Sequence, residues 1–520
     1  MAASPWIRGS RMDSVWPAPT RRTLEGVLLS RRQFLRATAA VGVLAPTLSS
    51  ALTSCAAPED VPKVQFGAAL PIPPLAESTV QGGTRVFALN AQGGKHEFVP
   101  GKPADSMGYN GSYLGPTLRA RRGEKVRIDL RNQLSEETTI HFHGMRLPAA
   151  DDGGPHQMID AGSSGSPAWT IDQPAATLWY HPHPHGSTER QVSLGLTGLF
   201  LIDEPGAPQL PHTYGVDDVP VIVQDRRLDS NGQLTFDSSG NSLGTLGNSI
   251  AANGVLGATL KVSTERVRLR LLNASDGRWF NFGLADHRTF QVVASDGGLL
   301  AAPAPVTRVQ LSPAERAEIV VDLKPGEQIM LRSFAPELGS VNPPDAFGGG
   351  KDFDVLRLDA SASLTPSPAL PSSLTTIPAI DVDGAHIRSF TLNGRNINNH
   401  TMDMNRVDEV VAKSATEVWY VDNTSAYQHN FHVHGVQFQL LDINGAQPPA
   451  AMRGWKDTIP VLPRDRMRIA MQMPAYADEQ HPYMYHCHVL THEDQGMMGQ
   501  YLVTESGTGP SSLTMEGMQH

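Results

Sequence analysis

The sequence predicts an all-β chain built from three related domains of the β-sandwich or barrel kind. Short alternating runs such as Val126-Arg127-Ile128-Asp129-Leu130 and Val267-Arg268-Leu269-Arg270-Leu271 are punctuated by 48 glycines and 40 prolines. That is the pattern of half-buried strands joined by turns. The 520 residues correspond to about three domains at roughly 100–200 residues each. One unit also recurs three times, the signature of repeated architecture. Gly123-Glu124-Lys125-Val126 runs through Asn132 to His141-Phe142-His143-Gly144. Ala415-Thr416-Glu417-Val418 runs through Asn423 to His432-Val433-His434-Gly435, and in both copies the asparagine precedes the first of these histidines by nine residues. The middle copy, Thr264-Glu265-Arg266-Val267 through Asn273, arrives at Phe280-Asn281-Phe282 and carries no histidines.

Taken from the N-terminus, Ser30-Arg31-Arg32-Gln33-Phe34-Leu35 reads as a twin-arginine export signal. The weakly apolar run from Ala37 to Leu52, broken by Pro46, is too short and too polar for a membrane span, which needs about 20 apolar residues. Leu52-Thr53-Ser54-Cys55 resembles a lipobox, in which Cys55 is lipidated and becomes the mature N-terminus; cleavage among Ser49, Ser50 and Ala51 is the alternative. Residues 1–54 are therefore read as the signal, with the twin-arginine machinery as a partner and a possible lipid anchor through Cys55. The expected location is the periplasm or the outer face of the cell envelope.

Three domains are expected at 63–206, 207–378 and 379–506, with a Pro- and Ser-rich connection over 362–378 and a tail at 507–520. A second repeated unit supports this. Trp179-Tyr180-His181-Pro182-His183 precedes Gly195-Leu196-Thr197-Gly198, and Met484-Tyr485-His486-Cys487-His488 precedes Gly496-Met497-Met498-Gly499. The net charge of -10 argues against nucleic-acid binding. With only Cys55 and Cys487 in the chain, a disulfide scaffold and a zinc-finger protein are excluded.

The 19 histidines crowd into a few short stretches. Side chains alternate along a strand, so the pairs His141/His143, His181/His183, His432/His434 and His486/His488 each project two imidazoles from one face. Such a nest suits copper or zinc. Around Cys487 stand His429, His492 and Met497; two imidazoles, a thiolate and a weak thioether form the ligand set of a blue-copper electron-transfer site. Pro182 takes the place of Cys487 in the first domain, so one such site is expected, in the third domain.

The motifs HFHG, WYHPHPHG, HNFHVHG and HCHVLTHEDQGMMG resemble the four copper signatures of multicopper oxidases, most closely those of three-domain bacterial laccases, bilirubin oxidases and cuprous oxidases. The resemblance implies three cupredoxin-like Greek-key β-sandwich domains. It also implies four coppers per chain: one type 1, one type 2 and two type 3. Carried over by position, type 1 copper takes His429, Cys487 and His492 with Met497 axial, and type 2 takes His141 and His432. His143, His181 and His488 then serve one type 3 ion, and His183, His434 and His486 the other. Asp152 and Glu493 match acidic positions that the family uses for proton delivery, whereas His156 and His185 match no ligand position.

The implied activity is one-electron oxidation of a phenolic or aromatic-amine substrate at type 1 copper, with tetrapyrrole oxidation as a variant. It is coupled to four-electron reduction of O2 to water at the trinuclear cluster. A Cu(I) or metal-ion oxidase for copper tolerance is the alternative, although the methionine-rich insertion that cuprous oxidases of this family often carry is not visible: Met402 and Met404 are two residues in a polar stretch, and Met515 and Met518 sit in a tail. An alternative of another class is a copper-free, structural, division-associated protein. The complete set of ligand residues speaks for copper.

Overall fold

The computed structural model describes residues 64–236 and 243–513. The twin-arginine motif, Cys55 with its lipobox, Met515 and Met518 lie outside the described residues. Within these, strands dominate, and the α-helices are two short ones, Thr188–Leu194 and Leu490–Asp494.

Six sheets share three large cores. In the first core, Val126, Ile128 and Leu130 alternate with more exposed residues along Lys125–Asn132, as a half-buried strand requires. They pack with Phe142, Leu178, Tyr180 and Phe200 from the second sheet. The middle core is built around Val219, Val221, Leu269, Phe280, Phe282 and Ile319, and the last around Phe390, Trp419, Phe431, Val433 and Tyr485. This is the cupredoxin-like, Greek-key β-sandwich architecture. The strand Ala68–Ala69 departs from sequence order, pairing in parallel with Ala258–Thr259 of the middle sandwich.

The repeat is visible in the pairing register. Thr84–Ala91 lies parallel to Lys125–Asn132, Asp218–Val223 to Arg268–Asn273, and His386–Leu392 to Glu417–Asn423. Each second strand ends on the repeated asparagine. Its side-chain amide then fixes the next turn, donating to Glu136 O and Ile159 O from Asn132, to Arg278 O and Leu311 O from Asn273, and to Tyr427 O and Val461 O from Asn423.

Those bonds reveal a length difference hidden from the sequence. The turn reaches four residues past the asparagine in the first and last copies but five in the middle one, Asn273 to Arg278. Leu311 and Val461 are therefore equivalent. They pair with Phe280 and His429 respectively, so Phe280 stands where His429 stands. Counting on, Gly283 and Ala285 take the places of His432 and His434. A count of nine from Asn273 lands on Phe282, one residue out of step. Its side chain accordingly faces the core, because a single-residue slip exchanges the two faces of a strand.

Candidate metal centre

Each His-x-His pair emerges from a strand end where the intervening or flanking residues are fixed in a core. Phe142 packs inside the first sandwich and Phe431 and Val433 inside the last. His141, His143, His432 and His434 are thereby turned away from their own cores, and all four are buried. Strand pairing aligns them further: His141 is opposite His181, and His432 opposite His486. Rings of the two sandwiches stack, with centroids 3.9 Å apart for His141 and His434 and 3.7 Å for His143 and His432.

Eight imidazoles thus converge. One group, His183, His434 and His486, brings ligand atoms within 4.8 Å of one another; there Nε2 of His486 is 3.2 Å from that of His183 and 3.1 Å from that of His434. A second group is His143, His181 and His488, and a third is His141, His143 and His432. Among the described residues, Nε2 of His141, His181 and His432, Nδ1 of His143 and both ring nitrogens of His488 are buried with no hydrogen-bond partner. Unpaired buried nitrogens are costly, and neutral imidazoles facing one another are the donor set of a soft-to-intermediate cation. Burial, reinforced by neighbouring imidazoles, holds His143, His181, His432 and His434 well below the usual imidazole range. Burial lowers His183 and His488 to about 3, with Glu493 opposing the shift. These six rings are therefore neutral, the form that binds metal.

The opposite edge of each ring is held by the protein, which decides the nitrogen presented. Nδ1 of His141 donates to Asp152 O at 2.9 Å, and Nδ1 of His432 to Asp457 O at 2.8 Å. Nδ1 of His434 meets Asp152 Oδ2 at 2.6 Å. Asp152 is fully buried beneath these rings, whereas the adjacent Asp151 is partly exposed and accepts from Ala168 N–H. Glu493 sits 3.3 Å from Nδ1 of both His183 and His486. Burial alone would raise its carboxyl; His183 and His486 reverse that and hold it well below the usual carboxylate range. A cavity of about 840 Å³, lined by Asp151, Gly153, Gln157 and the 163–166 serines, opens beside Asp152.

A separate, smaller group lies in the last sandwich. Nδ1 of His429 and Nδ1 of His492 are each 3.5 Å from Cys487 Sγ. Met497 is fully buried in the same core, and its carbonyl accepts from Cys487 N–H at 3.1 Å. Burial pushes the Cys487 thiol up to about 12, so forming the thiolate here calls for a cation. Asn430 Oδ1 accepts from His488 N–H at 2.6 Å and lies 3.5 Å from Cys487 Sγ, linking the two groups beside the main chain of His486-Cys487-His488. Tyr427, half-buried against Phe347, covers the ring of His429 at 5.0 Å.

His156 and His185 remain apart. Nε2 of His156 bonds Gln500 Oε1 at 2.7 Å, and His185 is exposed. Missed by sequence reasoning were Asp457, which bonds His143 Nε2 at 3.0 Å, and Asn430 and Ser425, the last 2.9 Å from His429 Nε2. The sequence singles out none of the three: Asp457 and Ser425 are lone polar residues in loops, and Asn430 stands inside the HNFHVHG motif as a residue between two histidines.

Three sequence models of the multicopper oxidase family match residues 90–207, 225–342 and 371–507. The chain belongs to the multicopper oxidase family, a copper-binding family of oxidoreductases. It is 36% identical over 439 residues to a multicopper oxidase of Staphylococcus haemolyticus, covering 83% of this chain and 92% of that protein. A cell division protein, FtsP of Xenorhabdus nematophila, is 35% identical over 491 residues, covering 92% and 99%. Among solved structures, a laccase-like multicopper oxidase of Ochrobactrum sp. with activity towards lignin model compounds superposes with a TM-score of 0.77 at 36% identity, covering 84% of this chain and 100% of that one. Among the described residues, no helix is long and apolar enough to cross a membrane.

Proposed function

We propose that this protein is an exported, laccase-like oxidase that withdraws single electrons from a phenol or aromatic amine and delivers four of them, with four protons, to O2. His429, Cys487, His492 and Met497 would hold one copper, His141 and His432 a second, and the groups His143/His181/His488 and His183/His434/His486 a pair. Copper bound there supplies the one-electron oxidation and the four-electron reduction of O2 to two waters. The observation that carries the reading is the position of Cys487: its main chain continues directly into His486 and His488, one residue of each three-histidine group.

The protein groups act around that path. Phe347 and Tyr427 form an aromatic pair next to His429, a surface on which an aromatic reductant stacks. Asn430 holds His488 N–H against the Cys487 side chain, keeping the connection short. Asp152 and Glu493, each facing the Nδ1 edges of two histidines, orient those rings and pass protons from solvent toward the reduced oxygen. The cavity beside Asp152 provides the water. The export motif at Ser30–Leu35 and the lipobox ending at Cys55 support delivery across the membrane, with a lipid anchor as its finer form.

A second reading, a division-associated structural role, is favoured by the extent of similarity to the division protein. Oxygen uptake by copper-loaded mature protein, with a simple phenol and Cu(I) in parallel, separates the readings. Fast uptake with the phenol is expected. Uptake with Cu(I) alone would make the protein a metal-ion oxidase, and a colourless chain inert to both would leave the division role.

A further inference from the structure

Among the described residues the middle sandwich contributes none to the histidine groups, yet one of its side chains reaches their back. Arg316 is fully buried. Its Nε donates to Thr177 O, on the strand that carries His181, and Nη1 and Nη2 also reach Ala314 O and Asp296 O. The remaining donors form a two-pronged pair with Asp457 of the last sandwich, Nη1 to Oδ1 at 2.8 Å and Nη2 to Oδ2 at 2.6 Å. Every guanidinium N–H is thereby used.

Asp457, so held, turns outward to two histidines. Oδ1 lies 3.0 Å from Nε2 of His143, with Thr458 Oγ1 3.1 Å from the same nitrogen, while the Asp457 carbonyl accepts from Nδ1 of His432. Those two rings are stacked. His143 is consequently left with Nδ1 bare and buried, and His432 with Nε2. Space behind His143 is equally tight. A Cβ on Gly144, whose φ is +81°, would sit 2.3 Å from Asp457 Oδ2 and 2.8 Å from Arg316 Nη2, so the glycine of HFHG makes room for this ion pair as well as for the turn.

We propose that Arg316 is a positioning residue for the histidine cluster: it locks Asp457 so that His143 offers Nδ1, and His432 Nε2, to the bound ions. The forked geometry matters, because a lysine supplies charge without two parallel donors. The sandwich without ligands is in this way a clamp on the sites formed by the other two. The inference rests on the reading that these histidines hold copper.

The test compares wild type with Arg316→Lys and Arg316→Gln, titrated with copper. Expected is a full blue absorption from the Cys487 site, which reports an intact fold, with an altered type 2 signal in electron paramagnetic resonance. Copper at the cluster should bind roughly 10–100-fold more weakly, the range for loss of a group that orients a ligand. A variant that keeps the blue band and binds cluster copper within about twofold of wild type overturns the proposal. Should both variants fail to fold, nitrogen-15 spectra of metal-free wild type decide: a proton on Nε2 of His143 is expected, and a proton on its Nδ1 overturns the clamp. Wild type that binds no copper defeats the functional reading instead, and leaves the His143 tautomer as an independent result.

Discussion

The middle and last sandwiches share a strand order, an asparagine-anchored turn and a register, yet only one offers metal donors. At the position where the last sandwich has His429, the middle one has Phe280, sealed in its core. Where His432 and His434 would project, Gly283 and Ala285 stand, and a Cβ on Gly283 would meet Arg308 Nη1 at 2.4 Å and Thr307 O at 2.8 Å. The difference teaches that the fold sets the faces and that a metal site needs both the right residues and the right parity. The middle unit also touches the site from outside. Arg316 grips Asp457, and Pro313 O accepts from Asn430 Nδ2 at 2.8 Å.

The comparison can be broken most severely at the electron entry point. Cys487→Ser is expected to abolish the blue absorption and reduce oxygen uptake to background while the histidine cluster still loads copper; uptake near the wild-type rate in that variant contradicts the path. Next in size is Glu493→Gln, for which turnover should fall about 10²–10⁴-fold, the contribution of a positioned proton donor. Copper content should stay at the wild-type level, and a parallel loss of copper and turnover would reduce Glu493 to a residue that only orients His183 and His486.

A third change sharpens the parity argument. Phe282→His with Leu284→His recreates a His-x-His nine and eleven residues after Asn273, the sequence spacing of the other copies, but points both rings into the middle core. Denaturation should report a loss of about 3 kcal/mol or more, with no added copper per chain. An extra bound ion would show that the face assignment is mistaken. The smallest effect is expected from Ser425→Ala. Ser425 Oγ lies 2.9 Å from Nε2 of His429; with Nδ1 turned to a metal beside Cys487 Sγ, Nε2–H would donate to it, and losing that acceptor makes the imidazole a weaker ligand. Redox titration of the blue absorption should move modestly to higher potential, and a shift the other way would reverse the donor assignment.

Strand periodicity and repetition made the sandwiches legible, and the His-x-His spacing made eight imidazoles stand out in the chain. Asp152 and Glu493 were named because they match acidic positions of the resembled family; in the chain they stand as ordinary carboxylates near histidines. The one-residue extension of the turn after Asn273 was not legible, since nothing in Ala274–Arg278 marks which residue is extra. Arg316 and Asp457 were hidden for a different reason. They meet across 141 residues of sequence, and in the chain each reads as one more strand-edge charge, of the sort usually left in solvent.

Copper is expected to bind this chain in two linked groups of donors. The most direct measurement is a copper titration of the metal-free mature protein, with metal analysis and visible absorption on the same samples. Four ions per chain are expected, with an intense blue band that requires Cys487. A chain that stays colourless and retains no copper after desalting would contradict the account.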